Sequence, residues 1–429
     1  MENTLQRERR AWYLYDWANS GFAVTVVTLF LGPYITVLAK AAADPSGHVH
    51  PLGLNIEARS YWSYLVSLSV ILQVLVLPVV GAVVDSGKSK KLFLAVTAYI
   101  GAGAAAAMYF LTGSMYEVAG VLFLIANVAF GASMVIYNSF LPDLAGPAER
   151  DKVSSRGWGI GYIGGGVLLA LNLVLYSSTA KLGISEAFAV RVSLCSAGVW
   201  WGLFTIPVLF GLRDRRTKIT HVPPLRQLLH SISEIRGLPE TATFLIAFML
   251  YNDAIQTVLA LAAQFANDEL KMPVSQLTLA ILMVQFMAFF GAIGFQWIAA
   301  AVGAMRAILL SLILWTATVV YIYAWVTNAK GFFLAAAVVA IVMGGSQALS
   351  RSLFAQLIPK GREAEYFGIY EISDKGTSWL CPLLFGLALQ FTHSYRIAIL
   401  SLVVFFIAGF LVLLRLDPEK GAAEALAKI

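Results

Sequence analysis

A soluble core does not need apolar runs long enough to cross a bilayer, yet this chain carries about twelve, each near or above the roughly 20 residues that span hydrocarbon. They fall near 11–39, 60–84, 92–112, 117–141, 157–180, 187–211, 238–264, 274–300, 305–327, 331–357, 366–391 and 396–416. Charged or Gly/Pro-rich stretches separate them, as helix ends require. No period-two alternation runs through them, which excludes a spanning barrel. The predicted class is therefore an all-α membrane protein. Composition agrees: 59% of the 429 residues are hydrophobic, 13% are charged, and mean hydropathy is +0.76.

The net charge of +6 does not point to nucleic acid, because the basic residues are scattered through short loops. Their distribution instead sets orientation. Alternate loops carry Arg7, Arg9, Arg10, Lys88, Lys90, Lys91, Arg150, Lys152, Arg213, Arg215, Arg216, Lys360 and Arg362, while the other side holds Lys40, Arg59, Lys181, Arg191, Lys271, Lys330 and Arg396. The heavier side is expected in the cytoplasm, with both termini. Arg7, Arg9 and Arg10 precede a run too long for a cleavable signal, so none is expected. The basic connection 212–237 holds Pro223 and Pro224 and sits midway. It is expected to link two six-helix halves, 1–211 and 238–429. Cys195 and Cys381 both lie in apolar runs, which argues against a disulfide. In the long loop 41–59, Asp44, His48 and His50 suggest either a metal site or a solvated loop, and the lack of further ligands favours the loop.

Ionisable groups inside apolar helices are costly and therefore informative. Asp16 and Asn19 share one face of the first run, beside Tyr15. Leu14-Tyr15-Asp16-Trp17-Ala18 has a loose echo in Leu250-Tyr251-Asn252-Asp253-Ala254, which suggests duplicated halves about one central site. Asn252, Asp253 and Gln256 place amide and carboxylate groups on the seventh run, and Gln285 on the eighth can join them. Gln347 and Arg351 are four apart near the end of the tenth run; Tyr370 and Asp374, and Glu371 and Lys375, are four apart in the eleventh. An Arg351–Asp374 or Arg351–Glu371 pair is expected to offset burial. Its role is either structural or a charge pair that cargo or a proton breaks.

Gly81-Ala82-Val83-Val84-Asp85-Ser86-Gly87-Lys88-Ser89-Lys90-Lys91 joins the second and third runs and resembles the major facilitator signature, with the second Gly one place early. Asp85 can accept from a helix N-terminus or pair with a cation, so a gating latch is expected of Asp85, Lys88, Lys90, Arg150 and Arg362. The segment Gly294–Arg306 lacks a matching acid, so the latch is asymmetric. Gly159-Ile160-Gly161-Tyr162-Ile163-Gly164 matches G-x-G-x-x-G but lies inside an apolar helix, so a dinucleotide site is rejected. Gly157, Gly161 and Gly165 instead make a smooth stripe for a neighbouring helix. Most tryptophans read as interfacial belt or packing. There is no Ser-His-Asp spacing, HExxH or Walker loop, so neither an enzyme nor an ATP-driven pump is expected, and no cofactor.

Four stretches carry a family likeness: YDWANSGF at 15–22, SRGWGIGYIGGG at 155–166, LYNDAIQT at 250–257 and GGSQALSRSLFAQLIPKGREAEYFGIYEISDKG at 344–376. They resemble the family once called unknown major facilitators, which includes the autophagy-related vacuolar amino-acid effluxer. The resemblance implies a major facilitator fold and a secondary transporter of amino acids or similar small solutes. From burial cost, substrate or proton coupling is assigned to Tyr15, Asp16, Asn19, Asn252, Asp253, Gln256, Gln347, Arg351, Tyr370, Asp374 and Lys375. The partners expected are a small-molecule substrate and membrane lipids, with a monomer in a bacterial inner membrane. A lipid or lysolipid flippase and a non-transporting membrane sensor are the competing readings.

Overall fold

A computed structural model describes residues 2–85, 89–215, 234–375, 381, 384, 388, 391–392 and 394–427. Almost everything described is helix. Eleven described helices are long and apolar enough to cross a membrane. They coincide with eleven of the twelve expected runs. The remaining run, 366–391, is described as far as Lys375 and only at isolated positions beyond it.

The helices that matter below are α1 (Glu2–Phe22), which continues through a π-helical stretch (Ala23–Phe30) into α2 (Leu31–Ala42); α3 (Tyr61–Asp85); α4 (Lys90–Ala107); α5 (Tyr116–Ser139); α6 (Arg150–Ser177); and α7 (Glu186–Gly211). In the second half of the sequence they are α8 (Pro239–Asp268), α9 (Val274–Val302), α10 (Ala304–Trp325), α11 (Ala329–Phe354), α12 (Glu363–Lys375), α13 (Tyr395–Ser401), α14 (Val403–Leu413) and α15 (Pro418–Leu426). Two starts differ most from expectation: α1 begins at Glu2, ahead of the apolar run expected from residue 11, and the fifth span begins early as well. The fifth span begins at Arg150, because Asp151, Lys152 and Arg156 lie within the helix that the hydropathy pattern starts at 157.

Two compact units result, and they do not follow chain order. The first comprises Met1–Leu77, Ser89–Tyr137 and Ile160–Asp214; the second comprises Pro78–Lys88, Asn138–Gly159 and Arg215–Ile429. The ends of α3, α5 and α6 thus belong with the second half of the sequence. The boundary in α3 falls at Pro78, which has no N–H to continue the helical ladder.

In the first unit α1 packs along α7, and α4 along α7. The glycine stripe of α6 receives α1: a Cβ on Gly161 would stand 2.8 Å from Ser20 Oγ, and one on Gly164 would stand 2.6 Å from Trp17 O. The expected helix approach is therefore real, with Gly164 joining Gly161 and Gly165. In the second unit α9 lies along α11. A Cβ on Gly344 would meet Ala288 O at 2.1 Å, and one on Gly291 would meet Ile341 O at 2.1 Å. These backbones touch because both residues lack side chains.

The loop after α2 closes with a two-stranded antiparallel hairpin, β1 (His48–Val49) and β2 (Ile56–Glu57). Asp44 organises it. Its Oδ1 accepts from Ser46 N at 2.9 Å, Ser46 Oγ at 2.6 Å and His48 N at 3.0 Å, and its Oδ2 lies 3.0 Å from His50 Nε2. The Ser46 hydroxyl first, then the His48 amide and His50, hold the Asp44 carboxyl well below the usual carboxylate range. Among the described residues no three His, Cys, Asp or Glu side chains gather as metal ligands would.

Candidate functional site

In the first unit the candidate residues sit on α1 just before its π-helical stretch. Asp16 and Asn19 are 4% and 3% exposed. The Tyr137 hydroxyl of α5 donates to Asp16 Oδ2 at 2.5 Å. The Tyr137 ring is fixed by stacking on Trp12, centroids 4.4 Å apart, and Trp12 Nε1 donates to Tyr137 O at 3.0 Å. Tyr15 is fully buried and accepts from Trp201 Nε1 at 3.4 Å. Asn19 Nδ2 points at Met134 Sδ, 3.2 Å away. Asp16 is thus buried against Tyr137 of α5, while Trp201 of α7 holds the neighbouring Tyr15. The sequence reading missed Tyr137, which carries no motif of its own.

The second unit holds a longer network. Gln347 Nε2 donates to Asn252 Oδ1 at 2.7 Å, and Asn252 Nδ2 donates to Asp374 Oδ1. One amide thereby ties α8, α11 and α12. One residue earlier, the Tyr251 hydroxyl meets Ser350 Oγ at 2.6 Å. Tyr370 stacks on Phe248, centroids 4.3 Å apart, and tilts against Phe354. Asp253 is 2% exposed, and its Oδ2 accepts from the Cys381 N–H at 3.1 Å. Among the described residues its Oδ1 is buried without a hydrogen-bond donor. Gln256 departs from the expected cluster: it is exposed, whereas Asn252 one turn before it is enclosed. Gln285 is half-buried on α9. The side chain of Lys375 lies outside the described residues.

Arg351 is 1% exposed. Its Nε donates to Ser154 Oγ at 2.9 Å, Nη2 to Ser154 O at 2.8 Å and Nη1 to Asn138 Oδ1 at 3.3 Å. The guanidinium also lies over the Trp158 ring, 5.3 Å from its centroid. Sequence spacing gave no sign of these partners, because they lie on α5 and α6.

The gating residues split. Asp85 Oδ2 accepts from the Glu365 N–H at 2.7 Å, in the first turn of α12. This is the helix N-terminus that a carboxylate favours. A Cβ on Gly81 would stand 2.3 Å from Ala364 O, so that turn of α3 sits directly on the start of α12. Arg150 Nη1 donates to Ala355 O at 2.7 Å. Arg362 pairs with Glu234 at 2.5 Å and Glu365 at 3.1 Å. Burial works against the Arg362 charge, but those two carboxylates outweigh it and raise the guanidinium above its ordinary range. Lys90 belongs to the first unit, buried at the start of α4. Lys88 lies outside the described residues.

The family model described as "Vacuole effluxer Atg22 like" matches residues 4–426, nearly the whole chain. This chain belongs to the Atg22-like family. Among curated relatives, the uncharacterized MFS-type transporter YxiO of Bacillus subtilis is 27% identical, covering 99% of this chain and 98% of that one. Autophagy-related protein 22 of Pyricularia oryzae is 27% identical, covering 99% of this chain and 78% of its own length. The fold is that of the major facilitator superfamily. The solved proton:xylose symporter XylE superposes with a TM-score of 0.74 at 11% identity, covering 96% of this chain and 95% of that one. An Atg22-like chain of this kind is an integral membrane transporter and not an enzyme.

Proposed function

We propose that this Atg22-like protein moves a small solute, an amino acid or a related compound, by alternating access coupled to protons. The observation that carries the reading is the network Gln347–Asn252–Asp374 beside the buried Asp253, which joins α8, α11 and α12. Such groups are costly in a membrane and mark substrate or ion pathways. The likeness to an effluxer family and to an MFS-type transporter supports transport. Asp253, with one oxygen lacking a donor among the described residues, and Asp16, held by Tyr137, are the two carboxylates proposed to take up the coupling proton. We also propose a monomer in a bacterial inner membrane; the Lys and Arg distribution supports cytoplasmic termini.

The test is uptake and efflux of labelled L-amino acids in proteoliposomes, with and without a pH gradient. The gradient should drive accumulation. Asp253→Asn should lose that stimulation by about tenfold or more, a barrier change of about 1.4 kcal/mol. No gradient effect, or full stimulation in the variant, rejects coupling through Asp253. Competition by lysolipids but not amino acids turns the reading to a flippase.

A further inference from the structure

One cluster in the second unit is left unused by the function proposed above. Four contacts join the segment 138–159 to the end of α11: Arg150 Nη1 to Ala355 O at 2.7 Å, Ser154 Oγ to Ala348 O at 2.7 Å, Ser352 Oγ to Asp151 Oδ1 at 2.5 Å, and the Arg351 guanidinium to Ser154 and Asn138. Arg351 is the centre of this zipper, because one planar fork reaches a hydroxyl, a carbonyl and an amide oxygen while its face covers Trp158. No lysine can meet that many acceptors in one plane.

We infer that Arg351 is the pin of a clamp between α11 and the segment 138–159, acting on the transport cycle by positioning these elements and not by touching substrate. The same helix carries the connection to the candidate site. Gln347 holds Asn252, Ser350 meets Tyr251, and Arg351 follows at once, so the candidate site and the pin lie within a turn of each other on α11. A turn of α11 that rotates to follow a ligand at Asn252 pulls the fork from Ser154. This last link rests on the function proposed above; the clamp itself does not.

The experiment is hydrogen exchange of the segment 138–159 in nanodiscs, run beside transport. Arg351→Gln should speed exchange there about tenfold or more, as expected when hydrogen bonds to a charged group are lost. Arg351→Lys, which keeps the charge but loses the fork, should fall between it and the wild type. With a mixture of labelled L-amino acids, Arg351→Gln should keep the wild-type KM and change the maximal rate. Unchanged exchange over 138–159, or a raised KM with unchanged exchange, overturns the proposal and makes Arg351 a substrate ligand. Should Arg351→Gln fail to fold, the double variant Ser154→Ala with Asn138→Ala removes the acceptors from the other side and must give the same acceleration. If the wild type moves no amino acid, the function proposed above fails, while the exchange result still decides the clamp.

Discussion

Asp85 shows how far a single residue can be read from sequence. Its spacing within Gly81–Lys91 marked it as a latch, and it does sit at a helix start. Its partner, the backbone N–H of Glu365, lies 280 residues away and was not legible, because a backbone amide leaves no mark in the residue pattern. Removing the acceptor strands that amide. Asp85→Ala should cost about 1–3 kcal/mol locally, read as lost exchange protection at the start of α12. Asp85→Asn keeps an acceptor and should lose only the charge, about 0.3–1 kcal/mol. Equal protection in wild type and Asp85→Ala would show that the latch contributes nothing. Asp44 makes the complementary case outside the membrane. Its folded carboxyl titrates below the ordinary range, so its contribution to loop order is present above the unfolded value and lost as pH falls. Exchange protection over 43–58 should therefore hold at pH 5 and fall off below about pH 4, the ordinary Asp range. Asp44→Asn should abolish that dependence. A pH-independent loop in the wild type would refute the assignment.

At the scale of elements, apolar length alone located the helices, because a spanning segment must be long and must satisfy its own backbone. What hydropathy could not show was helix continuing where charge resumes. Asp151 bonds to Ser352, Ser154 caps the Ala348 carbonyl, and Arg150 reaches Ala355, so tertiary partners hold this polar turn in a helix. The π-helical stretch Ala23–Phe30 was equally invisible, since its six apolar residues and two threonines fit an ordinary helical turn as readily as a wider one. Packing between helices was partly legible. The α6 stripe of glycines was expected and found, whereas Gly291 and Gly344 were not singled out, and they bring α9 and α11 into backbone contact. Gly344→Ala puts a methyl group 2.1 Å from Ala288 O and should destabilise by about 1–3 kcal/mol, the usual cost of overpacking. Gly294→Ala, with open space at its Cβ, serves as the control on the same helix pair. Equal melting temperatures for the two variants would mean that α9 and α11 can part at no cost.

For the whole molecule, the sequence suggests two halves, 1–211 and 238–429, and the compact units divide the chain differently. Tyr15 and Tyr251 open the two echoing clusters; both are buried, Tyr15 accepting from the Trp201 indole N–H and Tyr251 meeting the Ser350 hydroxyl. Yet Pro78–Lys88 and Asn138–Gly159 join the second unit, through bonds such as Asp85 to Glu365 and Arg351 to Ser154. Composition cannot announce such pairings, because serine and asparagine look alike whether they face a neighbour or their own helix. Orientation is a different kind of property, set by charge summed over loops. The connection 212–237 and the turn at 360–362 carry a basic excess, whereas the 41–59 loop opposite them holds one Arg besides its flanking Lys40. Reporter fusions after Asp214, after Lys360 and within 44–58 should therefore place the first two in the cytoplasm and the third outside. Replacing Lys90, Lys91 and Arg150 with glutamine should weaken that bias without changing which runs span. If the first two reporters lay outside, the orientation would invert. Asp85 and the proposed clamp at Arg351 would then lie toward the opposite face of the membrane.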